Sequence, residues 1–108
     1  HVGVVDEMNG AIWIHGGYDE GLRGDLWKFD TGTYDWTLIS TGGPSARAHH
    51  VAVWDPVNQA LWLHGGFDGM ACADLWRFEA LSYTWTSVVQ SGPAARFDHV
   101  AAWDGTYL

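Results

Sequence analysis

The 108-residue chain has a single cysteine, Cys72. No intrachain disulfide can form, and thiolates cannot build a metal framework. Such usage fits a reducing, cytoplasmic compartment. Basic residues are scarce too: five Lys plus Arg stand against thirteen Asp plus Glu, for a net charge of −8. Nucleic-acid binding is driven mainly by Lys and Arg that neutralise phosphates, so this balance argues against it. Anionic membrane surfaces are disfavoured for the same reason. No signal peptide, transit peptide or membrane-spanning apolar run is visible. Nor does any stretch sustain a helical period.

Aromatics and repetition are what the chain has in excess. It carries eight Trp, four Tyr and four Phe, and each ring removes roughly 150–250 Å² from water when buried. The pattern recurs every 49 residues without insertion or deletion. "HVGV" at 1–4 returns as "HVAV" at 50–53 and "HVAA" at 99–102; "WIHGG" at 13–17 returns as "WLHGG" at 62–66. "DLWKF" at 25–29 returns as "DLWRF" at 74–78, and "GPSAR" at 43–47 as "GPAAR" at 92–96. A period of roughly 20–50 residues signals a solenoid, a propeller or an array. The units run 1–49 and 50–98, with 99–108 opening a third. Because the pattern starts and stops inside the repeat, the expectation is a segment of a longer chain.

One unit reads as four strands. In the second, "HVAVW" at 50–54 is a short apolar strand, and "DPVNQ" at 55–59 is a turn. "ALWLHGG" at 60–66 is a strand closed by a glycine pair that can take positive φ or admit a close backbone. After a divergent stretch come "DLWRFE" at 74–79 and the β-branched "TWTSVV" at 84–89. The first two strands are apolar on both faces, so neighbouring sheets must cover both. Radial stacking of four-stranded sheets does this, and the expected fold is an all-β propeller.

A glycine pair ending the second strand, an aromatic nine to ten residues on (Trp27, Trp76) and a Trp nine further (Trp36, Trp85) resemble the kelch repeat. The "P-x-A-R-x-x-H" connections at 44–50 and 93–99 are similar to the lead-in of a kelch blade. The Trp54–Asp55 and Trp103–Asp104 dipeptides match the WD signature only as turn chemistry, and a 49-residue period fits kelch better. The resemblance implies a kelch-type β-propeller segment, galactose-oxidase central-domain-like, of four-stranded antiparallel blades. Two blades, 1–49 and 50–98, would be complete, and 99–108 would be the inner strand of a third. It also implies that the first strand of each blade lines a central channel. A closed ring of six or seven such units needs roughly 300–340 residues.

Periodic residues read as servants of the repeat. These are Gly16, Gly17, Gly65 and Gly66; Trp27, Trp76, Trp36 and Trp85; and His1, His50 and His99. The histidines are expected to bond nearby backbone. The sharper alternative is that inner-strand imidazoles converge on a channel metal. His49 breaks the period, facing Asp98 in the next unit, and adjacent strand residues point oppositely, so His49–His50 is no chelating pair. Asp6/Asp55/Asp104, Asp19/Asp68 and Asp25/Asp74 read as turn-capping and strand-entry residues. Arg47 and Arg96 are expected to bond carbonyls or acids between blades; the alternative places them at the channel mouth, ready for acidic partners.

No serine has a nucleophile-elbow setting. Galactose oxidase, which contains such a propeller, needs copper ligated by Tyr and His and a Tyr–Cys cross-link, and Cys72 has no partner motif. Glu20 and Asp25 do not reproduce the iron-binding loop of specifier-type kelch proteins. No catalytic residue, metal or cofactor is therefore assigned. Individuality lies in "DEGLRG" at 19–24 against "DGMACA" at 68–73, and "LISTG" at 38–42 against "SVVQS" at 87–91. Strand alternation puts both pairs on one rim. Glu20, Leu22, Arg23 and Met70, with Arg47 and Arg96, form the candidate partner-binding surface there. The expected function is a protein-interaction scaffold. The alternatives are the non-catalytic propeller of a larger enzyme such as a copper oxidase, and a structural spacer. Two blades alone would leave apolar faces and an open inner edge, so the segment is expected to self-associate.

Overall fold

The structure is a computed structural model that describes residues 1–105. Strands β1 (Val2–Asp6), β2 (Ala11–Tyr18), β3 (Leu22–Asp30) and β4 (Trp36–Ser40) form one antiparallel sheet in sequential order. Strands β5 (Val51–Asp55), β6 (Ala60–His64), β7 (Leu75–Glu79) and β8 (Thr84–Val88) form a second with the same order. Among the described residues there is no helix. The all-β, four-stranded blade architecture expected from the repeat is present twice.

Each sheet is a meander whose register is set by turn chemistry. Asp6 accepts from the Asn9 backbone N–H at 3.3 Å and from its side-chain amide at 2.7 Å. Asp55 holds the equivalent turn through the N–H groups of Val57 and Asn58 and the Asn58 amide at 2.8 Å. Such Asx turns fold the chain back in a few residues. They bring Val4 opposite Trp13 and Val53 opposite Trp62.

The sheets stack face to face. Trp13 and Leu26 of the first meet Leu61, Leu63 and Phe78 of the second in a continuous core. The Trp13 ring lies 5.4 Å from Phe78 and 6.4 Å from Trp54. Trp85 flanks Phe78 at 5.0 Å. Inner strands β1 and β5 lie side by side, as adjacent blades around an axis require.

Several strand limits differ from expectation. His50 and Asp74 stand outside β5 and β7, because their side chains serve the junction between sheets. In the first sheet β2 and β3 run on, so that Gly17 pairs with Arg23 and Tyr18 with Leu22 beyond a bulge. Residues 99–105 lie in no strand, having no neighbour to pair with; the rest of the 99–108 segment lies outside the described residues.

Candidate functional site

The rim that carries the divergent loops is built by four segments. They are the 18–22 turn, the 41–50 linker, the 65–74 loop and the 89–98 linker. Each linker leaves the outer strand of one sheet and crosses to the inner strand of the next, so it packs between two corner loops. Backbone bonds fix this. Gly17 N–H donates to Arg47 O at 2.9 Å, and Arg47 N–H to Arg23 O at 3.0 Å. Gly66 N–H and Arg96 N–H repeat the pattern on Arg96 O and Cys72 O, both at 2.9 Å.

The glycine pairs make these corners possible. Gly16 has φ +70°, and a Cβ there would lie 2.7 Å from Arg47 O and 2.8 Å from the His50 ring. Gly65 is confronted by the His99 ring at 2.6 Å in the same way. Gly17 abuts His1, and Gly66 abuts the His50 Cβ. Each corner is thus clamped between the first histidine of its own unit and that of the next.

The histidines bond one another, which corrects the expectation of backbone partners. His15 Nδ1 lies 3.1 Å from His50 Nε2, and His64 Nδ1 lies 3.0 Å from His99 Nε2. One imidazole N–H donates to the other ring's lone pair, so each pair needs neutral rings. Burial, reinforced by the Arg47 charge, lowers His15 to about 4. Burial and the neighbouring His15 lower His50 to about 3. These rings sit between sheets instead of converging on a channel. Among the described residues no cluster of three His, Cys, Asp or Glu could hold a metal ion.

Arg47 is 1% exposed, so it leaves the candidate binding surface. Its guanidinium donates to both Asp74 carboxylate oxygens, at 2.7 and 2.8 Å, and to the Gly65 carbonyl at 2.9 Å. Desolvation pushes the Asp74 carboxyl up, but the hydrogen bonds from Arg47 and the Trp76 indole outweigh it and hold the acid below its usual range. Trp27 donates to Asp25 at 2.6 Å as Trp76 does to Asp74 at 2.8 Å. Trp36 and Trp85 pack on Phe29 and Phe78.

The remaining rim candidates scatter. Glu20 is exposed, at the tip of the first turn with φ +57°. Met70 is 76% exposed. Arg23 is exposed and paired with Asp19 at 3.1 Å. Leu22 is half-buried at the start of β3, more withdrawn than a free loop residue. Arg96 is exposed, its guanidinium meeting the Ala94 carbonyl at 3.0 Å. Sequence reasoning missed a cluster between them: Phe67 and Phe97 rings 5.6 Å apart, with His49 Nδ1 2.7 Å from Asp98 Oδ1. The signal was the pairing of His49 with Asp98 one period later, both at positive φ.

The opposite rim is no less apolar, exposing Met8, Tyr34, Val57 and Leu81. Its turns, however, share one Asx design in both units, whereas the first rim differs between them.

A family model described as the KLHDC2/KLHL20/DRC7 Kelch-repeats domain matches residues 1–108. Among solved structures, one described as "Structure of YjhT" superposes with a TM-score of 0.75 at 18% identity, covering 96% of this chain. The chain spans 30% of that structure's length.

Proposed function

We propose, for a chain that belongs to the kelch-repeat family, that it acts as a protein-interaction scaffold whose partner docks on the rim of divergent loops. Kelch propeller modules commonly serve protein interaction, and a rigid stack of sheets holds such loops in fixed relation. The observation that carries the choice of rim is local. Loops of equal length, 19–24 and 68–73, fold differently: the first extends a hairpin, the second pairs Phe67 with Ala48 and Ala71. Glu20, Arg23, Met70 and Arg96 are the exposed groups assigned to partner contact, beside the Phe67–Phe97 and His49–Asp98 pairs.

Photo-crosslinking residues placed at Glu20 and Met70, and in parallel at Met8 and Leu81 on the other rim, test this. The first pair is expected to give a discrete, saturable adduct that the second pair does not. Equal adducts from both rims, or from the second alone, would overturn the assignment.

A further inference from the structure

The second unit shows how the rim receives a "Gly-Pro-x-Ala-Arg" segment. Gly43 lies flat on the Trp85 indole, so close that a Cβ would stand 2.5 Å from the ring. Ser45 Oγ donates to Asp68 at 2.7 Å, and Ala48 pairs with Phe67 through both backbone bonds. The Arg47 guanidinium then closes on Asp74 and the Gly65 carbonyl.

Every acceptor in that dock recurs 49 residues earlier. Trp36 stands for Trp85, Asp19 for Asp68, Tyr18 for Phe67, Asp25 for Asp74 and Gly16 for Gly65. There they border an open cleft of about 480 Å³, lined among others by Ile14, Gly16, Asp19, Arg23, Asp25 and Trp27. Trp36 is 52% exposed and Tyr18 72% exposed, as a platform awaiting a segment would be. The Trp27 indole already holds one Asp25 oxygen in the orientation that Trp76 gives Asp74.

We propose that this cleft is an arginine socket, taking the guanidinium of an extended Gly-Pro-x-Ala-Arg segment of a partner polypeptide. Asp25 accepts two parallel N–H bonds and the Gly16 carbonyl a third. Paired N–H bonds to a carboxylate select a planar guanidinium over a lysine ammonium. One residue departs from the twin. Arg23, where the second unit has Cys72, pairs with Asp19 at 3.1 Å, so it occupies the acceptor of the incoming Ser and adds a like charge. It tunes the socket downward. For its location on the rim the proposal rests on the scaffold function above, and it adds the chemistry of the partner.

The test is titration of the ¹⁵N-labelled chain with the hexapeptide Gly-Pro-Ser-Ala-Arg-Ala, followed at the tryptophan indole signals. A saturable shift of Trp27 is expected. Replacing the peptide's Arg by citrulline should weaken it at least tenfold, and by Lys several-fold. Asp25→Asn should weaken the Arg peptide at least tenfold while the other indole signals stay in place. Arg23→Ala should tighten it several-fold. The citrulline arm needs no protein variant, so a misfolded Asp25→Asn chain leaves the test intact. No Trp27 shift at millimolar peptide, or equal shifts from citrulline and Arg peptides, would overturn the socket. Association of the chain with itself that Arg96→Ala abolishes would assign the cleft to a second copy and overturn the partner version. Failure of the peptide with rim crosslinks intact sinks the socket and leaves the scaffold function standing; opposite-rim crosslinks with a bound peptide do the reverse.

Discussion

The two sheets share one pattern, yet their burial is inverted. Trp13 is 2% exposed, while its counterpart Trp62 is half-buried beneath Arg77. Leu61, Leu63 and Phe78 are sealed at 1% exposure or less, while Ile12, Ile14 and Phe29 are half-buried. The cause is the pleat. Alternate residues face opposite sides, and each sheet has its neighbour on the other side. A side chain's burial here is thus decided less by its own residue type than by which flank of its sheet is covered. The repeat writes both faces apolar, and stacking selects which one works.

Breaking that contrast most directly, Phe78→Ala is expected to cost about 3–5 kcal/mol, the usual toll of emptying a buried aromatic site. Phe29→Ala should cost about 1 kcal/mol, since its ring is already partly hydrated. Urea unfolding midpoints compare them; equal losses would show that both faces are buried in solution, by self-association or otherwise.

A smaller difference separates the two histidine pairs. His15 and His50 are held below the ordinary 6.5, at about 4 and about 3. Below pH 6.5 the unfolded chain therefore binds more protons than the folded one. The pair's stability is complete above that value and is lost as pH falls toward 4 and 3. Replacing both rings, His15→Gln with His50→Gln, should flatten the dependence of unfolding free energy on pH between 6.5 and 4. His64→Gln, at the half-buried pair, should leave most of the slope. An unchanged slope in the double variant would remove the buried pair as its source.

Smallest of all is an effect that should not differ between units. Asn9→Ala and Asn58→Ala each remove the amide that braces an Asx turn, and each should cost about 0.5–1.5 kcal/mol. Thermal melts that separate the two by more than about 1 kcal/mol would show that the turns depend on the faces after all.

Much of this architecture was legible in the residues. Alternating apolar positions around Trp13 and Trp62, the Asp-to-Asn turns and the glycine pairs located the strands to within a residue or two. What escaped was everything that lies between units. Aligning each unit on the next presents His15 with His64, and Arg47 with Arg96. It hides that His15 bonds His50, and that Arg47 bonds Asp74. Those partners are 35 and 27 residues apart, distances that only the stagger of neighbouring sheets determines. The rim was found by divergence, but not its content. Equal lengths at 19–24 and 68–73 gave no hint that a hairpin would continue in one and break in the other. Arg23 in place of Cys72, pairing with Asp19, belongs to that difference.

The clamp around each glycine pair has a consequence for how such a chain can be lengthened or cut. The corner of one sheet is closed by Arg47 O and His50, residues that a sequence alignment assigns largely to the lead-in of the next. The interval that folds together is therefore offset from the interval that repeats. A splice made between Gly66 and Asp74 would separate a corner from its lid on both sides at once. One made within the Asx turn at 55–59 would cross a single hairpin and leave both clamps whole.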